Sequence, residues 1–177
     1  DQSLLICDLL EAEDFCIQPM EDASPPKWHL AHVTWFFETF LLRPFLPGFT
    51  PFCSEFEYLF NSYYNGVGQP YPRARRGLLS RPTTDEIINY RRYVDDAMAD
   101  LLGRRLDDPE VAFRTVLGLH HEQQHQELLF TDLKYNLGNN PLYPAYKSPA
   151  GVHESKTDGS PLTFAEFKGG IYEIGKS

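Results

Sequence analysis

Two histidines four residues apart, His121 and His125, lie in the stretch Leu117–Phe130, LGLHHEQQHQELLF, and are the side chains best placed to do chemistry. Four residues turn an α-helix by about 400°, so both imidazoles leave one face, about 6 Å apart along the axis. That spacing suits two ligands on one metal ion. Hydrogen-bonded core pairs share the spacing, but here three of the six histidines crowd one window with Glu122, Gln123, Gln124, Gln126 and Glu127. Such polar groups can fix imidazole tautomers from outside the ligand set. Leu117, Leu128 and Asp132 fall on or near the same stripe, which would turn both rings toward the interior.

The same residues spell HExxH, a zinc-protease pattern with the glutamate as general base. The pattern stands alone: position 128 is Leu rather than Gly, no strand pattern precedes the helix, and Glu154 lies in a proline-rich stretch unsuited to a rigid ligand. A third ligand is available elsewhere. His32 sits on the stripe Trp28, His32, Trp35, Phe36 and Thr39 of an earlier helical segment, and the aromatic residues of that stripe read as core. Three neutral imidazoles would leave coordination positions open, for water or a thiol on zinc and for O₂ and a substrate on Fe(II); nitrogen ligands alone do not choose between them.

Four helical patterns position these residues. Gln2–Glu13 reads as the later part of an amphipathic helix. Ser24-Pro25-Pro26 opens a second helix, with the serine oxygen as cap, that ends before Pro44. Thr83 and Glu86 form a capping box that opens a third, closed by Gly103–Leu106. Asp108-Pro109 starts a fourth that runs to about Leu137, about 43 Å at 1.5 Å per residue. Phe52–Tyr64 reads as a short buried helix and Gly66–Pro82 as a long irregular loop. The expected architecture is all-α, a four-helix bundle with ligands projecting inward. Residues 1–140 form this metal-binding bundle, 141–162 a linker, and 163–177 the first strands of a second domain, signalled by alternation around Gly169-Gly170.

Composition narrows the function. With 16 Lys+Arg against 25 Asp+Glu, the net charge of −9 argues against nucleic-acid partners and anionic membranes. No apolar run approaches a membrane span, and the first residues show no basic region followed by an apolar one. Three scattered cysteines fit reduced thiols, so a cytoplasmic location is expected.

Three blocks, SPPKWHLAHVTWFFETFLLRPFLPGF, LFNSYYNGVGQPYPRARRGLLSRPT and LGLHHEQQHQELLFTDLKYNLGNNPLYPAY, resemble the N-terminal DinB-like half of the EgtB family, the ergothioneine-biosynthesis sulfoxide synthases. The tail FAEFKGGIYEIG is similar to the start of that family's C-terminal domain, which resembles formylglycine-generating, sulfatase-modifying enzymes. The resemblance implies a DinB-like four-helix bundle holding non-heme Fe(II) on His32, His121 and His125. It implies that O₂ is used to join the sulfur of cysteine or γ-glutamylcysteine to the imidazole C2 of hercynine as a sulfoxide. It further implies that Arg73 and Arg76, in the loop with Arg75 and Arg81, hold the thiol's carboxylates, and that the C-terminal domain of the same protein supplies the catalytic tyrosine and much of the hercynine pocket. The chain alone would bind metal without turning over. His29 and His120 each neighbour a ligand, with an outer or surface place expected for both. The alternative enzyme is a DinB-like thiol transferase using zinc or nickel; a non-enzymatic helical interaction module is the third possibility.

Overall fold

The computed structural model describes residues 1–147 and 161–175 and divides into two compact units, Asp1–Lys147 and Ser148–Ser177. The first unit is helical. Among the described residues its elements are α1 (Gln2–Cys7), α2 (Pro26–Phe37), α3 (Arg43–Phe45), α4 (Phe56–Leu59), α5 (Thr84–Arg105) and α6 (Pro109–Gly138), with 3₁₀ turns at Ala12–Cys16 and Arg73–Leu78. The caps explain the starts of the two longest helices. Thr83 Oγ1 accepts from the Glu86 N–H at 3.2 Å while Glu86 accepts from the Thr83 N–H at 2.7 Å. Asp108 Oδ1 accepts from the N–H groups of Glu110 and Val111 at 3.0 and 3.3 Å, with Pro109 in the first helical position where no N–H is needed.

The bundle is built on α2, which packs against both α5 and α6. Every residue of α2 from Pro26 to Phe36 is buried, so it is covered on all sides rather than along one stripe. Gly118 of α6 lets the two helices approach: a Cβ there would lie 2.6 Å from the Phe37 ring and 3.1 Å from that of Phe36.

Several sequence expectations change here. The first helix stops at Cys7 instead of Glu13, because Asp14 turns back to accept the Glu11 N–H at 3.0 Å and starts a separate 3₁₀ turn. Three long helices and one short one therefore make the bundle. The Ser24 side chain does not cap α2; Pro25 takes the N-cap position, and its carbonyl accepts from the Trp28 and His29 N–H groups at 2.9 and 3.2 Å. The second helix does not end before Pro44; it widens into a π turn at Glu38–Leu42 and continues through α3. A π turn already departs from the i→i+4 pattern, so a residue without an N–H is accommodated beyond it. Glu38, fully buried in that turn, accepts from Arg43 at 3.0 Å and from the Phe52 N–H at 3.3 Å. Gly103 lies inside α5, which reaches Arg105. Only Phe56–Leu59 of the expected aromatic helix is helical.

The expected hairpin is absent among the described residues: 161–175 contain no strand, and Phe164, Phe167, Ile171 and Ile174 are each more than four-fifths exposed. A lone two-stranded ribbon with nothing on its apolar face has little to hold it. The helical unit extends past Asn140 to Lys147, where the Tyr146 hydroxyl donates to Ile6 O at 2.6 Å. Residues 148–160 of the expected linker, Glu154 included, and residues 176–177 of the expected second domain lie outside the described residues.

Candidate metal centre

The face of α2 that carries His32 meets the face of α6 that carries His121 and His125. Ring centroids are 5.0 Å apart for His32 and His121, 4.7 Å for His32 and His125, and 4.6 Å for His121 and His125. One nitrogen from each ring lies within 4.8 Å of the others. The expected trio therefore comes together.

Each ring is held differently. His32 Nδ1 lies 2.6 Å from the Phe60 carbonyl, which can only accept, so Nδ1 carries the hydrogen and Nε2 keeps its lone pair. Trp28 stacks on His32 at 4.6 Å, with its indole N–H donating to Leu59 O at 3.2 Å. His125 Nδ1 lies 2.9 Å from His29 Nδ1, leaving Nε2 of His125 for a ligand. His121 packs on Phe36 at 4.7 Å, and its Nδ1 is buried with no hydrogen-bond partner among the described residues. Two lone pairs aimed inward and one orphaned ring nitrogen are a donor set that fits a metal ion taking imidazole.

Burial keeps these rings neutral. It pushes His32 down to about 3 and His121 down to about 4, and it also lowers His125 and His29. An unfolded chain protonates its imidazoles near pH 6.5, so between there and about pH 4 it binds more protons than the folded protein. Stability of the metal-free protein is thus expected to fall as pH drops through that window. The expected contribution of His32 is a slope of about 1.4 kcal/mol per pH unit. Urea unfolding at pH 7, 6 and 5 measures it, and a midpoint that does not move would show that the rings are not buried as neutral bases.

The three rings line a cavity of about 240 Å³ with Trp28, His29, Tyr63, Arg73, Arg76, Gln124, Leu128 and Asp132. Arg76 is buried, lies 3.3 Å over the Trp28 ring, and donates to the Ser24 and Ser62 hydroxyls at 2.9 Å each. No carboxylate pairs with it among the described residues, and burial, then Arg73, lowers it to about 9. Arg73 is more exposed and is used structurally, donating to Asp22 O and to the Tyr63 hydroxyl at 3.0 Å each. Tyr63 holds that place with φ 63°, a left-handed conformation that costs a non-glycine residue on the order of 1–3 kcal/mol.

Between the two α6 histidines the sequence reading needs correcting. Successive helix positions differ by about 100°, so residues 122–124 turn away from the ligand face to varying degrees. Glu122 accepts from Ser3 Oγ at 2.6 Å and from Arg91, away from the cavity, which removes the base of a HExxH protease. Gln126 donates to the same serine, Gln123 accompanies the exposed His120, and Glu127 is exposed. Of the expected outer set only Gln124 reaches the cavity. Leu117 and Leu128 are 47% and 39% exposed, so the ligand stripe is covered on one flank only.

The outer partners are a main-chain carbonyl, Phe60 O, and the buried pair His29 and Asp132, whose Nε2 and Oδ2 lie 2.9 Å apart. Asp132 had a readable signal, two helical turns beyond His125 on the same stripe. The carbonyl had none.

Residues 1–129 of the sequence match a family model, the DinB superfamily. The chain belongs to the DinB superfamily. Among curated proteins none matches this DinB chain. The superfamily match ends inside α6, four residues beyond His125, so all three histidines fall within it. Among the described residues of this DinB chain, no helix is long and apolar enough to cross a membrane. Its three cysteines are unpaired, and burial raises Cys7 to about 12.

Proposed function

We propose that this chain is the iron-binding helical part of an O₂-dependent sulfoxide synthase that joins cysteine or γ-glutamylcysteine to C2 of hercynine in ergothioneine biosynthesis. One observation carries the reading: three neutral imidazoles converge on a cavity that also holds a buried guanidinium with no carboxylate on it among the described residues. The three sequence blocks that resemble the EgtB family include all of these residues.

Fe(II) would be held by His32, His121 and His125, and when bound it supplies the redox chemistry that couples O₂ reduction to sulfur–carbon bond formation. In balance, the thiol S–H and the imidazole C–H are lost, one oxygen atom enters the sulfoxide and the other leaves as water. The chain's own residues do the positioning. Arg76, with Arg73 at the mouth, takes the thiol substrate's carboxylate in place of its serine partners, since a guanidinium fork matches a carboxylate better than hydroxyls do. Trp28 keeps that fork and His32 in one stack, fixing the distance between bound carboxylate and ligand set. A volume of about 240 Å³ is below the roughly 300–1,000 Å³ of most small-molecule sites, which suits a substrate as small as an amino-acid thiol.

The test is metal analysis of the purified complete protein together with O₂ uptake in the presence of hercynine and either thiol. Stoichiometric iron and O₂ uptake that needs both substrates are expected. Stoichiometric zinc or nickel without O₂ uptake would replace this reading with a thiol transferase, and absence of stoichiometric metal would leave a helical interaction module.

A further inference from the structure

We propose that His29 and Asp132 are positioning residues that fix His125 on the metal through a relay of carboxylate, imidazole and imidazole. The proposal rests on the reading of His32, His121 and His125 as the metal ligands. The distances are 2.9 Å from Asp132 Oδ2 to His29 Nε2 and 2.9 Å from His29 Nδ1 to His125 Nδ1.

The protons fall in one order along this chain. Asp132 Oδ2 already accepts the Ser24 main-chain N–H at 2.8 Å, so this carboxylate oxygen acts as an acceptor toward His29 as well. His29 Nε2 therefore carries the hydrogen. A neutral ring has one N–H, so His29 Nδ1 is bare and accepts from Nδ1 of His125. The lone pair of His125 is thereby confined to Nε2. His29 has no nitrogen left with which to ligate.

Two further observations give the relay a purpose beyond packing. His29 and Asp132 are 4% and 7% exposed, and no arginine or lysine pairs with the carboxylate among the described residues. A buried carboxylate held by neutral donors is costly, and Arg76 acts on it only through space, without a hydrogen bond. What lies nearby, one ring away, is the ligand set. His32 gets the same service from a main-chain carbonyl, so the two helices orient their ligands by different acceptors.

The experiment is titration of the 177-residue chain with Fe(II) under anaerobic conditions and with Co(II), whose visible bands report the ligand field. His29→Ala is expected to weaken both metals about 10–100-fold and to shift the Co(II) bands. His29→Asn, whose amide oxygen can take the place of Nδ1 and accept from His125 but whose side chain is too short to reach Asp132, should restore part of the affinity. Asp132→Asn keeps the shape and removes the charge, so a smaller loss in the same direction is expected, and it carries the test if His29→Ala does not fold.

A purely structural role would lower the unfolding midpoint while leaving the affinity and the Co(II) spectrum of the folded protein unchanged. That result, in His29→Ala or in Asp132→Asn where only the latter folds, overturns the relay while the metal site stands. A wild-type chain that takes up neither metal overturns both together.

Discussion

Alanine at His121 is expected to abolish stoichiometric iron binding, with affinity reduced by at least about a hundredfold, beyond the range for loss of an outer partner. The variant should still fold. His121 Nδ1 has no hydrogen-bond partner among the described residues, so removing it relieves about 1–3 kcal/mol of unsatisfied burial. The void left beside Phe36 costs a comparable amount. The metal-free variant should thus unfold within about 1 kcal/mol of wild type, and iron content is read on intact protein. Full iron occupancy in His121→Ala would reject the three-histidine assignment outright. Its neighbour in sequence, the exposed His120, serves as the control, because His120→Ala removes an imidazole whose one side-chain hydrogen bond among the described residues is to Gln123.

Methionine at Arg76 should separate binding from stability. The guanidinium is buried against Trp28 with two serine hydroxyls as partners, and its Nε has none among the described residues. Removing it loses two hydrogen bonds and a cation–π contact but also lifts the cost of enclosing an unpaired charge. The hydroxyls it leaves face a cavity that water can enter, and the net change in stability is expected to stay under about 1 kcal/mol. A charge-assisted bond to substrate is worth about 1.5–3 kcal/mol, so KM for the thiol in the complete protein should rise about 10–150-fold. Arg76→Lys should recover only part of this, since an ammonium lacks the planar fork. An unchanged KM in Arg76→Met would remove the residue from substrate binding. A large drop in the urea midpoint would instead make it a strut between Ser24 and Ser62.

What could be read from the chain and what could not follow from the range of the forces involved. The α5 and α6 starts were legible because capping is local: Thr83 with Glu86 and Asp108 with Pro109 act within one turn of their own backbone. His121 and His125 were legible because a helix fixes the relation of i to i+4. The ends of α1 and of the second helix were misread, since Asp14 reaching back to Glu11 and a π turn ahead of Pro44 depend on packing that no spacing reveals. Glu122 was misplaced for the same reason, as its partners Ser3 and Arg91 lie on other helices. His29 was seen but put at an outer or surface place, and only its contacts on both sides decide between them. The alternating tail read as a hairpin because periodicity registers a tendency to pair but not whether a covering surface exists.

The group that sets the tautomer of His32 is the carbonyl of Phe60, part of the polypeptide backbone. No codon change at position 60 deletes that oxygen. Point substitutions can reach the anchors of His125, but those of His32 yield chiefly to changes in chain length. Inserting or removing one residue between α4 and the turn at Arg73–Leu78 would move the acceptor off register. Lineages that drift in this stretch should therefore keep its length, with residue type free only outside the buried Phe60, Asn61 and Ser62.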